Sequence, residues 1–191
     1  MAAVPSSLVP LESGDRLTRA EFHRRYCARP DIAKAELVQG VVYVASPTRF
    51  SRHARPHRPA IAWLDAHATR TPGVELGIEA TIFLGTNSEV RPDICLFRTL
   101  PSSRVQITDD DYLEGAPDLV FEIAASSASY DLHDKLEAYR RAGVPEYAVW
   151  RVLDRAINWF RLREGAYLRL DVPAMLAEDR AAVLGVLQPS D

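Results

Sequence analysis

Lysine is what this chain has least of for its charge: of 23 basic side chains only Lys34 and Lys135 are lysine. Arginine serves wherever a positive charge alone is needed, so a retained lysine points to chemistry particular to a compact ammonium. Cysteine is equally scarce. Cys27 and Cys95 are too few and too far apart for a disulfide framework or a structural zinc site, and they read as free thiols in a reducing compartment. No run approaches the roughly 18 apolar residues of a membrane helix, and the opening MAAVPSSLVPLESGD has no basic start followed by an apolar stretch. The expectation is a cytoplasmic protein without membrane contact. There is no Gly-rich phosphate loop, dinucleotide fingerprint or Gly-x-Ser-x-Gly elbow, which removes most support for kinase, dehydrogenase and serine-hydrolase chemistry and for a nucleotide cofactor.

What is present suffices for one core. A chain of 191 residues, 47% hydrophobic and 26% charged, has the size and apolar content for a single domain. Its net charge of −3 argues against a generic nucleic-acid coat, but the charges are segregated. Residues 16–70 hold 11 basic against 4 acidic side chains, and residues 71–130 hold 3 against 10. One third is suited to face a polyanion and the next to hold cations, with a plain solvated surface as the alternative.

The pattern predicts a disordered tail over 1–15, one domain over 16–170, and a C-terminal helix and tail over 171–191. Thr18 and Glu21 form a capping box, and Leu17 with Phe22 a staple, so a helix should start at Thr18 and end near Cys27. Gln39-Gly40 suits a tight hairpin between strands 35–38 and 41–45. A helix is expected over 53–69, with Pro56 and Pro59 marking its first turn or delaying its start. Strands are expected over 74–84, 90–97 and 119–124, and a helix over 129–142 ended by Gly143. Strands 147–153, 156–162 and 167–170 follow. The fold class is α/β (α+β): a mixed central β-sheet flanked by helices.

Two carboxylates stand out. Glu122 interrupts the apolar run Leu119-Val120-Phe121-Glu122-Ile123-Ala124, where an unpaired charge would be very costly to bury. Asp93 stands at the entrance of another apolar run, Ile94 to Phe97. If the two strands are neighbours, a period of two allows both side chains to converge on one divalent cation. Hard oxygen donors suit Mg²⁺ or Mn²⁺. The alternative is a salt bridge from Glu122 to an arginine. Lys135 flanks the buried stripe Leu132–Leu136–Tyr139, placed to stabilise charge developing on a phosphate. Its alternative is a surface pair with Asp131.

Weaker signals accompany these. His53 and His57 lie four apart but lack a third zinc ligand, so phosphate or base contact is preferred for them. Arg49, Arg52, Arg55 and Arg58 recur every three residues and would line one side of a basic face, with a solvated face as the alternative. The candidate nucleic-acid contacts are Arg52, His53, Arg55 and His57.

The segments Arg91-Pro92-Asp93-Ile94, Gly115-Ala116-Pro117-Asp118-Leu119-Val120-Phe121-Glu122-Ile123, Asp131-x-x-x-Lys135 and Tyr139-x-x-x-Gly143-Val144-Pro145-Glu146-Tyr147 together resemble the Uma-type restriction endonucleases of bacteria, within the PD-(D/E)XK nuclease superfamily. Glu36-Leu37-Val38-Gln39-Gly40 is similar to that family's early Glu-(three residues)-Gly element. The resemblance spans roughly residues 18–170 and implies a restriction-endonuclease-like core. It further implies Asp93 and Glu122 as metal ligands, the main-chain carbonyl of Ile123 as a third contact, Glu36 as an accessory acid, and Lys135 in place of the superfamily lysine, whose position is Ala124 here. A segment usual in the subgroup between the last strand and the terminal helix is shortened.

The function so implied is a Mg²⁺- or Mn²⁺-dependent endonuclease that hydrolyses DNA phosphodiester bonds. A homodimer is compatible with it, since many such nucleases cut two strands. Two alternatives stay open: a non-catalytic nucleic-acid-binding or assembly module, and a hydrolase of another phosphate ester.

Overall fold

The computed structural model describes residues 10–45, 55–101 and 103–170, with Arg55 described through its backbone alone. Within the segment expected to be a tail, Leu11 is buried against Phe22 and the Gly14 amide donates to the Val42 carbonyl. The fold therefore takes in residues from Leu11 onward. The expected basic residues Arg49, Arg52 and His53, and the expected helix beyond Leu170, lie outside the described residues.

Helix α1, Arg19–Cys27, is capped as the sequence predicts, with Thr18 Oγ1 accepting from the Glu21 amide. Strands β1, Ala35–Val38, and β2, Val41–Val44, form the hairpin. Gln39 (φ 51°) and Gly40 (φ 81°) take the left-handed pair of angles that a two-residue turn requires. Helix α2, Arg55–Arg70, contains Pro59 near its N-terminal end, where the missing amide costs one helical hydrogen bond.

The two strands expected over 74–84 and 90–97 are four. The first divides into β3, Val74–Ile78, and β4, Ile82–Leu84, at Glu79, whose φ of 49° breaks the extended run. The second divides into β5, Ser88–Val90, and β6, Ile94–Arg98, at Pro92, which has no amide to donate to a ladder. At each break the chain passes from one sheet to another. The acidic loop read between 97 and 119 contains β7, Val105–Ile107, and β8, Leu113–Gly115. Strand β9, Leu119–Ala124, follows another crossing at Ala116-Pro117.

A helix over 128–142, α3, has a π-helical turn at Asp131–Lys135 and ends at Gly143, whose φ of 80° suits glycine. Strands β10, Glu146–Arg151, β11, Ala156–Arg163, and β12, Ala166–Leu170, complete the described chain.

Among the described residues there are thus two mixed six-stranded sheets. The first runs β2-β1-β5-β4-β8-β7 and the second β12-β11-β10-β9-β6-β3. Strand β9 is central, parallel to β10 and antiparallel to β6. All six of its residues are buried, in keeping with a strand covered on both faces. Leu119, Phe121 and Ile123 pack against Trp63 and Leu64 of α2. Val120 and Ala124 face Tyr139 of α3 and, beyond it, Val38, Ile82 and Val90 of the first sheet. Glu122 shares that second face, between two sheets and a helix.

Candidate active site

The PD and GAPD segments are the corners at which the chain changes sheets, and this explains why polar residues sit there. At the first corner the Arg91 amide, released from any ladder, donates to Glu36 Oε1 at 2.7 Å. Asp93 then turns inward. Extending the register that pairs Ile94 with Phe121 by one residue sets Asp93 opposite Glu122, on the same face of the second sheet. The Ala124 carbonyl accepts from the Val152 amide, so alternation turns the Ile123 amide and carbonyl toward the β6 edge. There the Ile123 amide donates to Asp93 Oδ2 at 2.7 Å.

Lys135 stands between the sheets. Its Nζ lies 2.6 Å from Glu122 Oε1, 2.9 Å from Glu36 Oε1 and 3.2 Å from Glu36 Oε2. Its ammonium also lies 5.7 Å and 5.9 Å from the ring centroids of Tyr130 and Tyr139. Tyr139 donates its hydroxyl to Glu122 Oε1 at 3.1 Å. The expected alternatives are corrected here: Lys135 and Asp131 are both buried rather than a surface pair, and the cation meeting Glu122 is a lysine rather than an arginine. The π-helical turn contains both residues, and such turns recur at functional sites.

Sequence reasoning missed three members. Asp131 is 4% exposed, and Tyr147 donates to its main-chain carbonyl at 2.9 Å. Lys34 brings its Nζ to 3.7 Å from Asp93 Oδ1. The buried Tyr130 hydroxyl has no hydrogen-bond partner among the described residues, which is uncommon for such a group and leaves it able to meet a water or a ligand oxygen. Lys34 carried a signal in the rarity of lysine and Asp131 in the Asp131-x-x-x-Lys135 segment, while Tyr130 carried none. Of the predicted nucleic-acid contacts, His57 places Nε2 3.5 Å from Asp93 Oδ1.

The electrostatics follow from burial. Glu36, Asp93, Glu122 and Asp131 are all buried carboxylates, while the ammonium groups at the cluster are buried Lys135 and half-buried Lys34. Among the described residues, four carboxylates thus stand against two ammonium groups, with His57 beside Asp93 as a further group able to carry positive charge. Burial pushes Glu122 up to about 8, aided by Asp93, Asp131 and Glu36 and opposed by Lys135. Burial also raises Asp131. The same burial works against the Lys135 ammonium, yet Glu122, Glu36 and Asp131 outweigh it and hold its pKa well above the usual lysine value.

These residues fit a hard divalent cation by charge and by donor type. Among the described residues, no three His, Cys, Asp or Glu side chains are already gathered at metal-ligand spacing. Asp93 and Glu122 offer two carboxylates, and the Ile123 carbonyl would supply a donor of another kind.

A second polar cluster lies on α1. His23 Nδ1 is 3.0 and 3.1 Å from the two Glu89 carboxylate oxygens, and its Nε2 is 3.5 Å from Cys27 Sγ. Burial and the Glu89 charge push the Cys27 thiol up, which disfavours a nucleophilic thiolate. The trio clamps α1 onto β5.

The fold is shared with a protein of known structure. A crystal structure of a putative nuclease belonging to DUF820 from Anabaena variabilis ATCC 29413 superposes with a TM-score of 0.58 at 14% sequence identity, covering 74% of this chain and 79% of that one. Residues 19–186 match the family described as Uma2, putative restriction endonuclease, and the chain belongs to that family. No curated protein matches it. Family and fold together support a nuclease-like function. Among the described residues no helix is long and apolar enough to cross a membrane.

Proposed function

We propose that the protein is a metal-dependent endonuclease that hydrolyses DNA phosphodiester bonds in the cytoplasm. The observation that carries this reading is the gathering of buried carboxylates at one corner of the fold: among the described residues, four acids against two lysines and the neighbouring His57. A chain does not keep such a cluster for stability, because apolar replacements would pack as well or better.

Asp93, Glu122 and the Ile123 carbonyl would hold Mg²⁺ or Mn²⁺. Bound there, the ion would activate a water and offset the charge that develops on the phosphate. Asp93 is oriented for this by the Ile123 amide. Lys135 and Tyr139 fix Glu122, and Lys135 with the Arg91 amide fixes Glu36. In the reaction, water oxygen bonds to phosphorus, one P–O ester bond breaks, and the products are a phosphate monoester and an alcohol. His57, beside Asp93, and Arg52, His53 and Arg55 are the proposed contacts to DNA. A homodimer would allow both strands to be cut.

The deciding experiment incubates purified protein with plasmid and single-stranded DNA in Mg²⁺ or Mn²⁺, alongside Asp93→Ala, Glu122→Ala and Lys135→Ala. Cleavage by wild type that is lost in all three variants is expected. Equal cleavage by all four proteins excludes the assignment.

One observation favours a second reading, a binding module that keeps the fold without turnover: the superfamily's lysine position is Ala124, and Lys135 already occupies Glu122 and Glu36. Calorimetry separates the two. A wild type that binds DNA but neither binds Mn²⁺ nor cleaves favours the module.

A further inference from the structure

Both lysines of a chain that otherwise uses arginine meet at the same carboxylate cluster, yet they are held very differently. Lys135 is 1% exposed, donates to the two Glu36 oxygens and forms a 2.6 Å ion pair with Glu122 Oε1. Reaching an incoming phosphate would strand two buried carboxylates. Lys34 is the reverse case. Its side chain is 23% exposed, and its 3.7 Å contact with Asp93 Oδ1 is far longer than the roughly 2.8 Å of a tight charge-assisted hydrogen bond. The base of its stem is nonetheless fixed. The Lys34 carbonyl accepts from the Ala45 amide at 2.9 Å, and the next residue, Ala35, is buried at the start of β1.

We infer that Lys34 is the ammonium that contacts a non-bridging oxygen of the scissile phosphate, while Lys135 is a positioning residue locked between Glu36 and Glu122. This assignment rests on the nuclease reading above. It accounts for the choice of lysine. An arginine fork would grip the Asp93 carboxylate through two parallel bonds, whereas a point charge on a flexible stem moves between a carboxylate and a phosphate with little reorganisation. It also supplies a substrate-facing cation in a site where Ala124 provides none.

The test compares full-length wild type, Lys34→Met, Lys34→Arg, Asp93→Ala and Arg163→Met, the last removing an exposed charge on the β11–β12 hairpin. Two quantities are read: single-turnover cleavage at saturating DNA in Mn²⁺, and binding of a fluorescent oligonucleotide in Ca²⁺ followed by anisotropy. Lys34→Met should cleave about 100-fold more slowly than wild type, the scale of losing one donor to developing charge. Its thermal midpoint should stay within about 2 °C of wild type, as suits a partly exposed side chain. Lys34→Arg should recover only a small part of the rate. Cleavage by Lys34→Met within about threefold of wild type, with Asp93→Ala inactive, overturns the inference and leaves the nuclease reading standing. If wild type itself cleaves nothing, that reading fails and the oligonucleotide decides. Binding weakened at least tenfold more by Lys34→Met than by Arg163→Met upholds a phosphate contact at Lys34, and equal weakening refutes it.

Discussion

Lys135 Nζ meets Glu122 Oε1 at 2.6 Å with both side chains almost wholly buried, and because it also holds Glu36, deleting its charge strands two buried carboxylates. Lys135→Met should destabilise the protein by about 3–5 kcal/mol, the usual cost of leaving a buried charge uncompensated. Lys135→Met combined with Glu122→Gln and Glu36→Gln should recover much of that loss. Urea denaturation followed by circular dichroism measures both, and a single variant within about 1 kcal/mol of wild type would show that solvent reaches the pair.

Stability should fall with pH because of Glu122. Burial raises its pKa from 4.5 to about 8, so between those values the unfolded chain has lost a proton that the folded protein keeps. The folded state binds more protons in that window, and the linkage relation then makes unfolding easier as pH rises from about 4.5 to about 8, with no further change above it. Glu122→Gln removes this slope. The difference in melting temperature, wild type minus Glu122→Gln, should decrease steadily from pH 5 to pH 8; a constant difference contradicts the assignment.

The two thiols should differ sharply. Burial pushes Cys95 up to about 12 and encloses it, while Cys27 is exposed with a more modest rise. At pH 8 a chromogenic disulfide reagent should titrate one thiol in the native protein, none in Cys27→Ser, and two after unfolding. Rapid labelling of Cys95 in the native state would contradict the burial of β6.

Gly115 is required by close approach as well as by conformation. Its φ is 108°, and a Cβ there would lie 2.0 Å from the Arg104 carbonyl oxygen. Gly115→Ala should therefore cost more than about 2 kcal/mol by strain and steric displacement of β7. Thermal unfolding reads this directly, and a shift below about 2 °C would mean that the neighbouring chain yields easily.

Where information is local, the residues announce their structure. Thr18 and Glu21 cap a helix through neighbouring atoms, and Gln39-Gly40 sets a turn by its own backbone preference. Glu122 was legible for the same reason: a charge in an apolar run demands a partner whatever the fold. The identity of that partner was not legible, because arginine and lysine satisfy the demand equally on paper and only the packing of α3 against β9 selects Lys135. The second sheet was hidden for a related cause. A run such as Val90 to Phe97 has strand-like character on both sides of Pro92, and nothing in its pattern says that the two halves pair with β1 and β9 respectively. Asp131 looked solvated because its burial depends on contacts far away in the chain. Lys34 was visible as an oddity of composition but had no address until Asp93 came to meet it.

The four central residues reach one point from separate parts of the architecture: Glu36 from the first sheet, Asp93 from a corner between sheets, Glu122 from the middle of the second, and Lys135 from the helix that follows. A nascent or partly unfolded chain thus carries dispersed acids and no reaction centre. Under the proposed nuclease reading, competence to cleave arrives only with the finished fold, and any loss of structure disarms the site.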